Sequence, residues 1–378
     1  MQKTLQIPMV NLQRFHASIE NDLLSTIQKV ILSGKYVKSD NVREFEEQLS
    51  AIVDEANVIS CGNGTDALQL AFMALNLQPG DEVITTPFTF ISTVEVIALL
   101  KLKPVLVDID PTNFNIDPKE IEKAISSKTK AIVPVHVFGQ SAPMHRIMEI
   151  AKNHNLFVIE DACQALGTIA NTPDEEYKAA GTIGHIGCTS FFPSKNLGAL
   201  GDGGACFTRD KELAKKIRSL ANHGMKRPYD HHLIGINSRL DPIQAEILKI
   251  KLAYFTNQIE RKNEIANYYD DQLSSCDYIN IPKRESYSTH SFHQYTLTVK
   301  DGKRDKLREY LKDNGIASGV YYPTPLHLQP GYQFMGYQQG DFPHAEWASQ
   351  NVLSIPMDPW LTQEEQHYIT NKIRAFNN

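Results

Sequence analysis

Short apolar segments alternate with helical segments between residues 82 and 159, and this alternation restricts the fold more than any other feature of the chain. Each apolar segment has the length of a buried strand, and the segments between them carry helix signals. Strands that are joined by helices run parallel, and a parallel sheet needs cover on both faces. The sequence therefore predicts an α/β domain with a mostly parallel sheet. The predicted strands are 82–86, 104–107, 131–135 and 156–159.

The pattern changes after Leu273, and this change suggests a second domain. Helical spacing begins at Asp241 and continues to Leu273, which predicts one long helix that links two domains. The division is predicted as a large domain at 1–253 and a smaller C-terminal α+β domain at 254–378. Later elements are predicted as an exposed antiparallel strand at 292–299, a helix at 303–314 and a strand at 317–322. A polar segment at 171–180 is predicted as an irregular surface insertion or flap.

Charge and cysteine content exclude several classes of function. The chain has 38 basic and 44 acidic residues, and its net charge of −6 gives no basic field for nucleic acid. No CxxC pair occurs, and His136 and His185 have no partner at metal-ligand spacing, so no metal site is expected. Neither a signal-peptide core nor a membrane-spanning segment is recognised, and a cytoplasmic protein is expected. The scattered cysteines are Cys61, Cys163, Cys188, Cys206 and Cys276.

The segment Ser190–Ala205, SFFPSKNLGALGDGGA, places Lys195 between two aromatic residues and a cluster of glycines. Burial of a lysine lowers its pKa and frees the lone pair of its amine. Beside a phosphate-binding surface, such an amine can form a Schiff base with pyridoxal phosphate (PLP). The alternative is an ordinary surface lysine in a loop between strands, and this segment alone leaves both interpretations open.

Two further segments suggest where a phosphate would bind. Gly64 and Thr65 follow a short apolar strand at 58–60 and open a helix, whose free N–H groups attract an anion. Ser190 lies five positions before Lys195 and offers a second hydroxyl donor. A plain helix N-cap is the alternative interpretation of the first segment. No GxxxxGK[ST] or GxGxxG string occurs, so the common nucleotide-binding loops are not expected.

Three other residues fit the aromatic ring of such a cofactor. Asp161 ends a predicted strand, where a carboxylate would keep a pyridine nitrogen protonated and make the ring an electron sink. Gln164 is three residues further on and would reach the ring hydroxyl. Phe90 follows another strand and would stack on the ring. The alternatives are a helix cap for Asp161 and a core aromatic for Phe90.

With these segments in order, the chain resembles the PLP-dependent nucleotide-sugar aminotransferases of the StrS/DegT family over nearly its whole length. The resemblance implies a type I aminotransferase fold, in which a large domain has a mostly parallel seven-stranded sheet between helices and a smaller α+β domain follows. The matching segments include GNGTDAL (62–68), GDEVITTPFTF (80–90), VIEDACQALG (158–167), TSFFPSKNLGALGDGGA (189–205), GINSRLDPIQAEIL (235–248) and YYPTPLH (321–327).

The resemblance also implies a role for each matching residue. Lys195 would form the Schiff base and then act as the proton-transfer base, while Asp161 would pair with the pyridine nitrogen. The other cofactor-binding residues would be Gly64, Thr65, Phe90, Gln164, Ser190 and Asn237. Because Asn237 is expected from the partner subunit, a homodimer with shared active sites is implied. The expected substrate-binding residues are Arg239, His223, Tyr321 and His327.

The substrate implied is a nucleotide-linked keto sugar that receives nitrogen at C3, with L-glutamate as donor. The sequence of residues 237–245 resembles that of enzymes that aminate C3. Other segments are most similar to those of enzymes that act on UDP-2-acetamido-2-deoxy-3-keto-glucuronate. Tyr321 departs from the histidine usual there, which keeps a dTDP-3-keto-6-deoxyhexose open. The pathway expected is glycan or lipopolysaccharide biosynthesis. The alternatives are a 4-keto sugar aminotransferase, a sugar dehydratase of this fold, which usually lacks the lysine, and a regulator.

Overall fold

The computed structural model describes residues 5–376 of the 378-residue chain. The helices are α1 Leu12–Ser18, α2 Glu20–Ser33, α3 Asp40–Ile52, α4 Gly64–Ala74, α5 Ser92–Leu99, α6 Pro118–Ala124, α7 Met144–His154, α8 Lys211–Leu220, α9 Pro242–Leu252, α10 Phe255–Leu273, α11 Arg304–Asp313, α12 Pro343–Asn351 and α13 Gln363–Arg374. The strands are β1 Asn57–Cys61, β2 Glu82–Thr85, β3 Lys103–Leu106, β4 Thr129–Ile132, β5 Phe157–Asp161, β6 Ile169–Asn171, β7 Tyr177–Ala179, β8 Ile186–Ser190, β9 Gly204–Thr208, β10 Met225–Arg227, β11 Asp230–His231, β12 Ile279–Asn280, β13 Tyr295–Val299 and β14 Val352–Ile355.

The central sheet has seven strands in the order β1-β9-β8-β5-β4-β2-β3. Strands β8, β5, β4, β2 and β3 run parallel, and β9 lies antiparallel to both β1 and β8. The predicted seven-stranded, mostly parallel sheet is therefore confirmed. Because β5 and β8 are parallel neighbours, their carboxyl ends lie at the same edge of the sheet.

Successive strand residues pack into clusters on opposite faces of this sheet, as the period of two in a strand requires. Val83 and Ile159 belong to a cluster that contains residues of α4 and α5. Their neighbours Ile84 and Val158 belong to a second cluster, which contains residues of α7. Both faces are thus covered by helices, which explains why the strands read as continuous apolar segments rather than as alternating ones.

A smaller antiparallel sheet, β12-β13-β14, forms in the C-terminal part of the chain. The prediction that residues 292–299 form an exposed strand is wrong, because all five residues of β13 are buried. The polar residues within this segment had suggested that one face of the strand is exposed. The hydroxyl of Thr296 lies 2.8 Å from that of Ser354 on β14, so it is satisfied inside the sheet. Ile7, near the amino terminus, packs in the same apolar cluster as β13.

Two other predictions about the C-terminal half are also wrong. The helix expected at 241–273 is interrupted between α9 and α10 at Ala253 and Tyr254. Apolar spacing continues across this break, so periodicity does not reveal it; Leu248 and Phe255 pack in one cluster, while Ile265 packs in another. Residues 317–322 form no strand in the described part of the chain and contribute one isolated bridge, from Gly319 to Ser354. The domain division at 253 and 254 stays a prediction.

The polar segment at 171–180 is more ordered than expected. Strands β6 and β7 pair as an antiparallel hairpin, with Ile169 opposite Ala179. The backbone N–H of Asn171 donates to the carbonyl of Tyr287 at 2.8 Å, which attaches the hairpin to the segment before β13. Among the helices described between residues 5 and 376, none has both the length and the apolar character that crossing a bilayer demands.

Candidate active site

A cavity of about 650 Å³ opens at the carboxyl edge of the central sheet. It lies where β5 and β8 end and where α4 begins, so three separate parts of the sequence meet there. The predicted site residues that line it are Gly64, Thr65, Phe90, Asp161, Gln164, Ser190, Lys195 and Tyr321.

Lys195 lies in a tight turn between β8 and β9. Its backbone N–H donates to the carbonyl of Phe192 at 2.8 Å, and a side chain at Gly198 would meet the carbonyl oxygen of Pro193 at 2.2 Å. Burial lowers the pKa of the Lys195 amine, while Cys163 and Asp161 oppose this shift. The residues described at 5–376 offer Nζ no hydrogen bond or ion pair. The amine is therefore directed at the cavity and is closer to its neutral, nucleophilic form than a surface lysine.

Asp161 is the last residue of β5 and is held at both carboxylate oxygens. The hydroxyl of Thr93 on α5 donates to Oδ2 at 2.8 Å, and the backbone N–H of Cys163 donates to Oδ1 at 3.2 Å. The residue is 5% exposed and lines the cavity. These contacts fix the direction of a carboxylate that faces the cavity, as the partner of a ring nitrogen needs.

Glu160, the preceding residue on β5, belongs to the opposite face of the sheet. Its Oε2 lies 2.8 Å from His136 Nε2 and accepts from the N–H of Gly181 at 2.8 Å. Its Oε1 accepts from the N–H of Ile183 at 2.7 Å. Both Glu160 and His136 are 0% exposed, so a fully bonded buried pair lies directly behind the cavity wall.

Gln164 and Phe90 provide contrasting polar and apolar surfaces. The Oε1 atom of Gln164 accepts from the N–H of Phe138 at 2.9 Å, and Nε2 donates to the hydroxyl of Tyr322 at 2.8 Å. Burial raises the pKa of the Tyr322 hydroxyl, which keeps its proton available for donation. Phe90 is 58% exposed on the cavity wall, so the structure places it outside the core and leaves its ring free to stack.

The amino end of α4 lies against Ser190. Asn63 caps the helix, with Oδ1 accepting from the N–H of Asp66 at 2.8 Å. A side chain at Gly64 would come within 2.8 Å of Ser190 Cβ, so only glycine allows this approach. The hydroxyl of Thr65 lies 2.7 Å from that of Ser92. The first N–H groups of a helix need partners from outside it, and this corner suits a phosphate.

Asn237, Arg239 and His223 lie outside this cavity on the same chain. Asn237 and His223 are exposed. Arg239 Nη1 donates to Asn222 Oδ1 at 3.0 Å and lines a second cavity of about 850 Å³. Cationic side chains outnumber acidic ones on the wall of that second cavity; they include Lys38, Arg43, Lys215, Arg218 and Lys226.

His327 is buried and also does not line the first cavity. Its Nε2 lies 3.0 Å from Glu346 Oε1, and its ring packs edge-on against Phe342. The structure thus places it in a packed polar pair near α12, although the sequence predicts a substrate-binding role.

Three residues of the site were missed by the sequence reasoning. Thr93 holds Asp161, Tyr322 holds Gln164, and His293 lines the cavity from the segment before β13. Thr93 carried a weak signal, since it is the second of two threonines four positions apart, Thr89 and Thr93. His293 carried none, because only the packing of the C-terminal segment against the central sheet brings it near Lys195.

A nucleophilic lysine, a fixed carboxylate, an amide, an exposed aromatic face and a helix amino end converge on this cavity. This set suits a flat, phosphorylated pyridine aldehyde, and it defines an α/β enzyme of the PLP-dependent class. Comparison with known proteins gives the family. The model of the DegT/DnrJ/EryC1/StrS aminotransferase family matches residues 17–374.

Relatives and solved structures match over nearly the whole chain. A pleiotropic regulatory protein of Geobacillus stearothermophilus is 44% identical, over 98% of this chain and 99% of its own. UDP-2-acetamido-2-deoxy-3-oxo-D-glucuronate aminotransferase of Pseudomonas aeruginosa is 42% identical, over 94% and 96%. UDP-N-acetyl-3-dehydro-alpha-D-glucosamine 3-aminotransferase of Acidithiobacillus ferrooxidans is 39% identical, over 99% of each chain.

Among solved structures, a DegT/DnrJ/EryC1/StrS aminotransferase from Brucella abortus is similar with a TM-score of 0.92 and 39% identity, over 98% of this chain and 99% of that one. NtdA from Bacillus subtilis with bound cofactor PMP has a TM-score of 0.89 and 32% identity, over 99% and 85%. The chain belongs to the DegT/DnrJ/EryC1/StrS aminotransferase family. It is a transaminase, and its cofactor is PLP.

Proposed function

We propose that the protein transfers an amino group from L-glutamate to the C3 keto carbon of a nucleotide-linked sugar. The observation that carries this proposal is the half-buried amine of Lys195, which has no hydrogen-bond partner among the described residues and shares one cavity with the fixed carboxylate of Asp161. The names of two relatives, a 3-oxo-glucuronate aminotransferase and a 3-dehydro-glucosamine 3-aminotransferase, support C3 as the site of amination.

We assign the chemistry to this chain's residues as follows. PLP, when bound, supplies an electron sink for the electron pair released at the substrate carbon. Lys195 would hold it covalently through Nζ and would then move a proton to and from the substrate carbon. Asp161 would hold the proton on the ring nitrogen through its carboxylate. Ser190 and the amino end of α4 would hold the phosphate, and Phe90 would cover the ring.

We further propose a homodimer in which Asn237 completes the partner's phosphate site. Its exposure on this chain supports this idea, because it leaves the side chain available to a second copy. Arg239 and His223 would then reach the partner's nucleotide sugar, while Tyr321 would contact the sugar bound to its own chain. His327, paired with Glu346, would act only through the packing around it.

We propose that the enzyme acts in the cytoplasm, in glycan or lipopolysaccharide biosynthesis. All five cysteines are free, as a reducing compartment favours. A sugar dehydratase of this fold is not favoured, because a lysine, Lys195, lies on the cavity wall. A purely regulatory role is not favoured either, because Lys195, Asp161 and Gln164 line one cavity, although one relative is named as a regulator. A 4-keto sugar acceptor is the remaining alternative.

A half-reaction screen tests this function. The PLP form would be mixed with single amino acids, and its conversion to the aminated form would be followed by absorbance. Purified enzyme in the aminated form would then receive 3-keto and 4-keto nucleotide sugars, with NMR of the product to locate the nitrogen. We expect conversion with L-glutamate and return with a 3-keto sugar, and no conversion in Lys195→Ala. Return with 4-keto sugars alone would refute the assignment to C3, and failure of every pair would refute the function.

A further inference from the structure

His293 has an unsatisfied imidazole on the wall of the active-site cavity. The residue is 8% exposed, and neither ring nitrogen has a hydrogen-bond partner among the described residues. Nδ1 is fully buried, so Nε2 is the nitrogen that keeps access to the cavity. Buried polar atoms without partners are rare in native proteins because they cost free energy. Nδ1 is therefore expected to carry the lone pair, and the N–H at Nε2 is left to find its partner in a ligand in the cavity.

The backbone rather than the ring fixes the position of His293. Gln294 N donates to the carbonyl of Phe138 at 3.1 Å, and Ser291 N donates to that of Gly139 at 2.9 Å. A side chain on Gly139 would lie 2.9 Å from His293 N, so the two segments are in close contact. The same turn is tied to the cavity wall, because Phe138 N donates to Gln164. The imidazole is thus positioned before any ligand arrives, which reduces the entropy lost on binding.

The surroundings of His293 keep its imidazole a neutral hydrogen-bond donor. Burial lowers the pKa of the imidazole, and the neighbouring Lys195 and Lys262 lower it further. Among this chain's described residues on the cavity wall, none is an arginine, the usual partner of a carboxylate. Within one chain, the N–H of His293 is therefore a donor from which a carboxylate oxygen can accept.

We propose that His293 binds the carboxylate of the amino-acid donor through Nε2–H. This inference rests on the proposed function, since any donor must bring its amine to the position of Lys195 Nζ. The carboxylate of an α-amino acid is two bonds from that amine, so it lies close to the cavity wall around Lys195. The proton is assigned to Nε2. In the other tautomer the N–H at Nδ1 would be buried without an acceptor, whereas in this one Nδ1 buries only a lone pair.

The test measures binding of glutarate, a dicarboxylate without an amine, to the PLP-loaded enzyme by calorimetry. We expect His293→Phe to raise the Kd of glutarate by about tenfold or more, as for the loss of a hydrogen bond to a charged group. His293→Gln keeps an N–H donor and should stay within about threefold of wild type. His185→Phe is the matched control, because His185 is half-buried at the far end of β8, where Nδ1 accepts from Val158 N at 3.0 Å. It should leave the Kd unchanged.

Two further readouts distinguish binding from a structural effect. The Nε2 resonance of His293 should shift when glutarate is added to the wild type, which needs no turnover and no substitution. In the half-reactions, His293→Phe should raise the half-saturating concentration of L-glutamate more than it lowers the limiting rate, and should leave the KM of the keto sugar unchanged.

Three results would overturn the proposal: wild type that binds no glutarate, equal Kd values in wild type and folded His293→Phe, or a loss confined to the keto sugar. Glutarate binding is independent of amino transfer. Failure of the proposed function would therefore appear as intact glutarate binding without any conversion.

Discussion

At the scale of single residues, the site combines groups whose chemistry is visible in the sequence with groups that only the fold brings together. Lys195, Asp161 and Gln164 lie in short segments whose composition indicates a cofactor, and the structure places all three on one cavity. Thr93 and Tyr322, which hold two of these residues in place, come from distant segments, and neither residue type by itself indicates a cofactor. Side chains that orient others carry ordinary residue types, so their role depends on distance and not on local sequence.

Asp161→Asn should keep the fold and lose most of the turnover. The amide can keep the contacts with Thr93 and Cys163, but it cannot hold the proton of a ring nitrogen. We expect kcat to fall by about 10² or more, comparable to the removal of one preorganised electrostatic group. The measurement is steady-state kcat together with the melting temperature.

Asp210→Asn is the matched control for this variant. Asp210 caps α8 through bonds to Glu212 N and Leu213 N, and asparagine caps a helix equally well. It should therefore leave kcat unchanged. If Asp161→Asn behaves in the same way, Asp161 is a structural residue and its assignment to the cofactor is wrong.

Arg239→Lys should discriminate between sugars. If the substrate is a 3-keto uronate, the Arg239 guanidinium would donate two N–H groups to its carboxylate. Lysine cannot reproduce this bidentate contact. We expect kcat/KM to fall more for the uronate than for a neutral 6-deoxy analogue, by about 1–3 kcal/mol. The competing role for Arg239 is structural, since Nη1 already bonds Asn222.

The control for Arg239 is Arg218→Lys, in the same second cavity. Arg218 pairs with Glu46 at 2.9 Å, so its replacement should affect both sugars equally. Equal losses on the two sugars in Arg239→Lys would reassign this residue to the nucleotide or the cofactor, and would remove the physical reason to prefer a uronate.

At the scale of elements, the sequence predicted the central sheet well and the C-terminal part poorly. Buried parallel strands are continuous apolar segments, so β2 to β5 stand out from their helices. The break between α9 and α10 was missed because the apolar stripe crosses it, and the burial of β13 was missed because Thr296 bonds within its own sheet. In both cases tertiary packing, which a local pattern does not contain, decides the outcome.

Helices α9 and α10 each contribute a buried lysine that donates a hydrogen bond to the turn carrying Lys195. Lys251 Nζ donates to the carbonyl of Gly198 at 2.7 Å, and Lys262 Nζ donates to Asn196 Oδ1 at 2.8 Å. Burial lowers the pKa of each amine to about 8. The turn that carries Lys195 is thus fixed by two donors from elements that come more than 50 residues later in the sequence.

The lowered pKa values of Lys251 and Lys262 predict that the free energy of unfolding rises at alkaline pH. Below pH 8 these lysines are protonated in both the folded and the unfolded chain, so their contribution is constant. Between about pH 8 and 10.5 the folded chain releases these protons while the unfolded chain keeps them, and the free energy of unfolding rises, by at most about 3 kcal/mol for each lysine. Lys262→Met should remove about half of this rise.

The measurement is urea unfolding at pH 8 and pH 10 at one protein concentration. The change in the free energy of unfolding between the two pH values is compared between variants, which cancels the contribution of other titrating groups. These groups include buried tyrosines, whose raised pKa values lower the stability at higher pH. Lys119→Met changes an exposed lysine of α6 and should keep the wild-type difference. A full rise in Lys262→Met would show that Lys262 does not titrate in this range.

At the scale of the whole molecule, the proposed site is incomplete in one chain. Asn237, Arg239 and His223 lie outside the cavity of their own chain, on or beside an exposed segment that includes the β10–β11 hairpin. Tyr229 and Ile234 on this segment are 96% and 92% exposed, which is unusual for large apolar side chains. A second copy that covers this segment would explain both observations.

Complementation tests this arrangement. Lys195→Ala and Asn237→Ala, each inactive alone, would be mixed in equal amounts, unfolded and refolded together. If Asn237 serves the partner's site, each mixed dimer has one doubly altered site and one intact site. Activity should recover to about a quarter of wild type, since half of the dimers are mixed. The same mixture without unfolding is the control, and no recovery would indicate sites built within single chains.

The bonded pair of Glu160 and His136 has a consequence for how β5 is aligned. Adjacent residues of a strand face opposite sides, so a slip of one position would exchange the places of Glu160 and Asp161. Such a slip would strip the Glu160 carboxylate of His136 and of the N–H groups of Gly181 and Ile183. The cost of leaving a buried carboxyl group without its hydrogen-bond partners disfavours that alignment. The buried contacts of Glu160 thus hold β5 in the alignment that keeps Asp161 on the cavity wall.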